Sequence, residues 1–372
     1  MKTIKIIAQL FKWLIIAGIV LFSLALFLNK SYVQTLVFLI ITVTLVWWPK
    51  IITTKWNKKI ALISRISFVV LLVLIKVFFF SGEPKTTIYT SDENKRKLMD
   101  MYNECCIDWP NNTEDIFFET NYGVVHVLAC GAKENPPLLM FHAASMGAHS
   151  WAENLKPLID HYRIYSVDNI GEGNKSHLKN ALIYPNSPKE IADLYATIAD
   201  SLGIESSPVF GASNGGFIAQ VYAYYYPEKV KSLALFGPMG LTQLSGKSIF
   251  MLTVASLYPV QPVRDYVAQW AIGNDEYINR KYGEWFNQIM VATIPSVCQP
   301  IPLTTEQKQQ MKMPVLLFLG TKDPIVGDAE KAKQAALDYP NIQIEILNSG
   351  HLVSTEKADS VNTKIEEFLG MN

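Results

Sequence analysis

The chain has 372 residues, nearly half of them hydrophobic, and its 33 basic residues balance 33 acidic ones. That length admits two domains, or one large domain with an appendage. Neutrality here is the sum of unlike parts: the first 82 residues hold ten Lys and Arg and no acid, leaving 23 basic against 33 acidic residues, a body for which no nucleic-acid partner is expected.

Three apolar runs occupy residues 13–28, 32–48 and 60–80, the last interrupted by Arg65 and Lys76. Each is near the lower length limit for a spanning helix, but three in tandem without a carboxylate predict a membrane anchor over 1–82 with the lipid bilayer as partner. Arg65 and Lys76 lie where long cationic chains snorkel, and Trp47 and Trp48 suit an interfacial belt. A cleaved signal peptide is the rival for the first run. No small-residue cleavage site follows it, and a second run begins almost at once, which favours retention. Lys2, Lys5 and Lys12 precede the first run and Lys50, Lys55, Lys58 and Lys59 separate the second from the third, against Lys30 alone in the intervening loop. Positive-inside counting puts the N-terminus in the cytoplasm and, after three spans, the body on the outer side of the cell membrane.

Residues 83–114 read as a polar linker and the start of the body. Cys105, Cys106, Cys130 and Cys298 show no metal-ligand spacing; buried thiols are the default, and an external location would permit one disulfide whose pairing stays open. From 115 onward a complete domain is expected. Residues 115–119 and 124–129 form an antiparallel pair, followed by short apolar runs at 137–141, 162–167, 207–210, 231–236, 314–319 and 342–347. Helical stretches at 188–202, 214–226 and 329–337 separate most of them. Such alternation predicts an α/β fold, a mostly parallel sheet with helices on both faces and ligands at the carboxyl ends of its strands.

Chemistry gathers at those ends. Gly211-Ala212-Ser213-Asn214-Gly215 lies between a strand and a helix, the setting of a nucleophile elbow, and on the order of 0.1 matches to G-x-S-x-G are expected by chance in a chain this long. Asp323 and His351 each follow a later strand by four residues, giving the order Ser, Asp, His: Ser213 to attack a carbonyl, His351 to carry the proton, Asp323 to hold the imidazole tautomer. Taken singly, Asp323 before Pro324 could be a turn residue and His351 a loop histidine; joint placement after successive strands favours catalysis. Asp168, the rival acid, precedes the nucleophile strand and reads as structural.

With Phe141-His142, the run from Asp168 to Ser176 (Asp-Asn-Ile-Gly-Glu-Gly-Asn-Lys-Ser), the elbow, the segment from Gly320 to Asp323, and Gly350-His351, residues 102–368 resemble the α/β-hydrolase superfamily and, more narrowly, its carboxylesterase-like members. The resemblance implies an oxyanion hole made by the backbone N–H groups of Ala144 and Asn214. Family members commonly carry His-Gly after the third strand, where this chain has His142-Ala143-Ala144. Residues 238–312, with helix-like stretches at 248–257, 263–271 and 276–290, read as a lid whose aromatic and methionine side chains would cover an acyl pocket; amphipathic helices also need such residues merely to pack. The expected function is that of a membrane-anchored serine hydrolase acting on a small-molecule ester or acyl substrate, without metal or organic cofactor. A peptidase or amidase on the same scaffold and a non-catalytic binding module are the rivals.

Overall fold

The computed structural model describes residues 86–248, 251, 261–272 and 276–371. The chain divides into two units, Met1–Ser81 and Gly82–Asn372. The three apolar runs and the anchor they predict lie outside the described residues; among those described, no helix is long and apolar enough to cross a membrane.

The second unit is built on a sheet of nine strands: β1 (Glu114–Glu119), β2 (Gly123–Cys130), β3 (Pro137–Phe141), β4 (Arg163–Val167), β5 (His177–Leu178), β6 (Ser207–Ala212), β7 (Val230–Phe236), β8 (Val315–Gly320) and β9 (Ile342–Leu347). Their order is β1-β2-β4-β3-β6-β7-β8-β9, with β5 paired to β2 off that path. β1, β2 and β4 pair antiparallel, and every pair from β4-β3 through to β9 is parallel. The described α-helices are α1 (Asp92–Cys105), α2 (Ala152–Leu155), α3 (Pro188–Ser201), α4 (Asn214–Tyr225), α5 (Gln261–Ile272), α6 (Glu276–Ala292), α7 (Thr305–Gln310), α8 (Ala329–Ala336), α9 (Val353–Glu356) and α10 (Ala358–Leu369).

Strand periodicity sorts the core onto two faces. Leu139, Phe141, Val209, Leu233, Leu235, Val315 and Leu317 pack with Ile191 and Ile198 of α3, Phe217 and Val221 of α4, and Ala332 of α8. Their neighbours Leu138, Met140, Phe210, Ala234, Phe236, Leu316 and Phe318 meet Trp151, Leu155, Val353, Val361 and Ile365 on the other side. Because both faces are covered, β8 is buried at every residue, whereas the edge strand β1 alternates. The expected mostly parallel sheet with helices on both faces is therefore present, its strands within about two residues of the apolar runs that predicted them.

Several elements differ from expectation. Within 83–114, read as linker, lies α1, a 14-residue helix capped by Ser91, whose side chain accepts from the Asn94 amide, with Asp92 and Glu93 in its first turn. Both features favour a helix start. Leu98 and Tyr102 of α1 are fully buried beside Ile278, Tyr282, Trp285 and Ile289 of α6. Also unanticipated are β5 and α10, the latter ended by Gly370 in the left-handed region. Of the three helix-like stretches in 238–312, those at 263–271 and 276–290 correspond to α5 and α6; the one at 248–257 falls almost wholly outside the described residues. All four cysteines are free thiols. Burial pushes Cys130 and Cys106 up to about 12, so neither is poised as a nucleophile.

Candidate active site

β6 ends at Ala212, and the backbone turns at Ser213, which adopts φ 50 and ψ −115 before α4 begins at Asn214. For a residue with a Cβ this is strained conformation. The strain thus falls on the serine itself, and the flanking glycines serve close approach. A Cβ on Gly211 would sit 2.4 Å from the Gly215 carbonyl oxygen, and one on Gly215 would sit 2.1 Å from that of Phe141. The elbow is held by bonds from the Ser213 amide to the Phe236 carbonyl (3.0 Å) and from the Met239 amide to the Ser213 carbonyl (2.9 Å).

Two further strand ends converge on the serine. After β8 the chain bends through Thr321 and Lys322, whose amides donate to the carbonyls of Leu347 and Ser349, so the loops after β8 and β9 are tied together. Gly320 makes that contact possible: a Cβ there would lie 2.2 Å from the Gly350 carbonyl oxygen. His351 Nε2 lies 2.7 Å from Ser213 Oγ, and its Nδ1 lies 2.7 Å from Asp323 Oδ2. The other carboxylate oxygen of Asp323 accepts from the amides of Ile325 and Val326 at 2.8 and 2.9 Å. Those donors fix the carboxylate plane. Ser213, Asp323 and His351 are each at most 5% exposed, so their mutual hydrogen bonds are sheltered from competing water.

Asp168 has other partners. Its Oδ2 is 2.7 Å from His126 Nδ1 and its Oδ1 accepts from the Ala148 amide at 2.7 Å, while His126 Nε2 meets Asp115. Burial alone would raise the Asp168 carboxyl; the hydrogen bond and charge of His126 outweigh it and hold the group below the usual range. Geometry therefore places Asp323, not Asp168, against His351.

Around the predicted oxyanion donors the chain from β3 meets the first turn of α4. The Gly215 amide donates to the His142 carbonyl at 3.1 Å, and neither Ala143 nor Ala144 donates its own amide to any described residue. Asn214, first in α4, has an amide with no intrahelical acceptor by position. Neither predicted donor has an acceptor for its amide among the described residues. The Ala143 methyl occupies space that His-Gly would leave open, and it packs with Met146, Trp285 and Leu352. His142 is buried with Nε2 accepting from the Asn169 amide at 2.9 Å and Nδ1 against the Ala143 carbonyl at 2.8 Å, and its burial pulls it below its ordinary range. It is a neutral scaffold residue.

Two participants were not singled out from the sequence. Glu172 is buried and accepts from Asn214 Nδ2 at 2.7 Å and from the Ser145 amide at 3.2 Å. Burial pushes its carboxyl up to about 8 against the opposing pull of those bonds. Trp285 of α6 donates from Nε1 to the Ser145 carbonyl at 2.9 Å. Ser145 itself has φ 60, in the left-handed region. Position within the motif from Asp168 to Ser176 was the available signal for Glu172; for Trp285 it was its place among the aromatic and methionine side chains of the expected lid. Nearby, a small pocket of about 30 Å³ has Ile170, Ile191, Leu194 and Ile218 in its walls, together with Glu172 and Asn214. Ser213 is not in its lining. Among the described residues no three His, Cys, Asp or Glu side chains are grouped to hold a metal ion.

A family model described as alpha/beta hydrolase fold matches residues 136–259. The chain is 27% identical to the carboxylesterase nap of Bacillus subtilis over 296 residues, 74% of this chain and 93% of that one. It is 25% identical to the carboxylesterase YbfK of the same organism over 290 residues, 76% of this chain and 96% of that one. The crystal structure of naproxen esterase from Bacillus subtilis superposes with a TM-score of 0.69 at 26% identity, covering 75% of this chain and 99% of that chain.

Proposed function

Because this chain is a serine hydrolase with the α/β-hydrolase fold and carboxylesterases among its homologues, we propose that it cleaves a carboxylic ester through an acyl-enzyme on Ser213. The observation that carries this reading is the continuous relay from Ser213 Oγ through His351 to Asp323, with both links at 2.7 Å. His351 Nε2 takes the hydroxyl proton as Oγ attacks the ester carbonyl carbon. Negative charge then develops on the carbonyl oxygen, where the amides of Ala144 and Asn214 donate to it. As the tetrahedral adduct collapses, the alkoxide leaves with the proton from His351. Water repeats the sequence in the second half: His351 takes its proton, hydroxide adds to the acyl carbon, and Ser213 Oγ recovers the proton as the acid departs. Asp323 holds Nδ1 protonated throughout and stabilises the transient imidazolium.

Residues 238–312 serve as the lid in this reading, with α6 as the part fixed to the body. Residues 1–82 serve as a membrane anchor on the strength of their three acid-free apolar runs, and the lysine distribution puts the hydrolase on the outer side of the membrane. The naproxen esterase and YbfK relatives favour an ester over an amide as the first substrate class to try. Purified enzyme offered a panel of p-nitrophenyl esters, lactones and aminoacyl amides should turn over the esters, and Ser213→Ala should abolish both turnover and labelling by a fluorophosphonate. Preferential cleavage of the amides would move the assignment to a peptidase or amidase, and labelling that persisted at another serine would remove Ser213 from the mechanism.

A further inference from the structure

Glu172 stands in the loop after β4, a different segment from either predicted oxyanion donor, yet its two oxygens reach both neighbourhoods. One accepts from the side chain of Asn214, whose amide is the donor on α4; the other accepts from the amide of Ser145, adjacent to Ala144. The span it bridges cannot relax freely on either side. Ser145 is held at φ 60 with its carbonyl engaged by Trp285, and Asn214 follows the strained Ser213. An oxyanion hole works only when its donors are fixed before charge develops, because reorganisation at that moment would consume the stabilisation. On the preceding reading of Ser213 and the oxyanion donors, we propose that Glu172 is the positioning residue that sets the width of the oxyanion hole, by clamping the Ala144-Ser145 loop to the start of α4.

The chemistry of the clamp follows from its partners. Asn214 and Ser145 are neutral donors, and among the described residues no Lys, Arg or His forms an ion pair with Glu172, so a charge there would be offset only by neutral hydrogen bonds. The titratable groups facing it are Asp168 from its own loop, whose negative charge opposes ionisation, and Tyr195 of α3, whose phenol is itself held protonated by burial. Glu172 therefore holds a proton at neutral pH, and its O–H can donate to Asn214 Oδ1 once that amide turns its oxygen, in place of Nδ2, toward the carboxyl. As pH rises through about 8 the proton is lost, and a negative charge appears beside the site of the oxyanion. The rate should then fall.

Two variants test the clamp. Glu172→Leu removes both acceptors at similar volume, and kcat for a p-nitrophenyl ester should drop about 10²- to 10³-fold, the scale of one lost oxyanion donor, with KM nearly unchanged. Glu172→Gln can bridge the same two groups, accepting from Ser145 and donating to a turned Asn214, so it should retain kcat within about tenfold and lose the alkaline decline seen in the wild-type enzyme. A folded Glu172→Leu enzyme with wild-type kcat would overturn the proposal. So would a Glu172→Gln enzyme that kept the wild-type decline above pH 8, and this second measurement decides the matter even where the leucine variant does not fold. Fluorophosphonate labelling of Ser213 in the wild type is read alongside: its loss speaks against the acyl-enzyme reading, whereas labelling with a Glu172-independent kcat speaks against the clamp alone.

Discussion

His351 is asked to accept a proton at Nε2 while holding one at Nδ1, and Asp323 is placed to enforce that tautomer, being itself fixed by the amides of Ile325 and Val326. Asp323→Asn keeps the shape but offers Nδ1 an amide that can turn its donor inward. Turnover of an ester should fall roughly 10⁴-fold with the melting temperature little changed, the scale expected of a misplaced imidazole proton. Should Asp168→Asn give that loss at unchanged stability while Asp323→Asn does not, the acid would be misassigned. A second histidine makes a prediction about stability. His149 lies fully buried against Tyr102, Tyr282 and Trp285, and neither of its ring nitrogens finds a hydrogen-bond partner among the described residues. Desolvation pulls it from the ordinary histidine value near 6.5 down to about 3. Below pH 6.5 the unfolded chain takes up a proton that the folded chain refuses until about pH 3, so this residue's share of stability is present above 6.5 and is lost as pH falls through that window. His149→Phe keeps the ring and discards the proton site. Thermal melts at pH 7 and pH 5 should show a smaller drop for the variant than for the wild type; parallel drops would mean that His149 is not the source.

The helix α6 meets the catalytic region where Trp285 packs with Ala143 and donates from Nε1 to the Ser145 carbonyl. Trp285→Phe retains most of the buried ring and leaves that carbonyl unpaired, at a cost of about 1–3 kcal/mol. Urea denaturation should register this loss, together with a fall in kcat larger than any change in KM; a fall in KM-limited binding alone would confine α6 to covering the substrate. Which elements could be read in advance follows from where their information resides. The central strands are continuous apolar runs such as Val315 to Leu319, and an apolar run bounded by turns announces itself locally. By contrast α1 is a charged stretch in which Leu98 and Tyr102 are the fully buried side chains, and the surface they cover belongs to α6, nearly two hundred residues further along. No periodicity strong enough to separate it from a linker survives that composition. Glu172 could be placed in the motif from Asp168 to Ser176 but not in the site, since its sequence neighbours do not show that it is buried against Asn214 and Ser145.

Ser213, Asp323 and His351 come from three points far apart in the chain, and what brings them to one edge is that β6, β8 and β9 run parallel, so their carboxyl ends share a side of the sheet. This arrangement was legible from strand-by-strand placement, which is why the site could be anticipated more fully than its supporting contacts. The location of the enzyme rests on different physics, the asymmetric lysines around the three apolar runs. Protease added to intact cells or spheroplasts should digest the hydrolase while a cytoplasmic marker survives; full protection of the body would reverse the topology and leave the catalytic assignment untouched. The packing of α1 onto α6 bears on where a shortened form of this chain could begin. A cut made where the first strand begins, near residue 114, would discard Leu98 and Tyr102, along with the Ile88 carbonyl that accepts from the Ile294 amide and the Thr86 carbonyl that accepts from the Ala181 amide. It would expose an aromatic cluster that touches Ala143, next to the oxyanion hole. A fragment lacking residues 1–82 therefore has to start upstream of Thr86, so that residues 86–113 belong, physically, to the hydrolase unit.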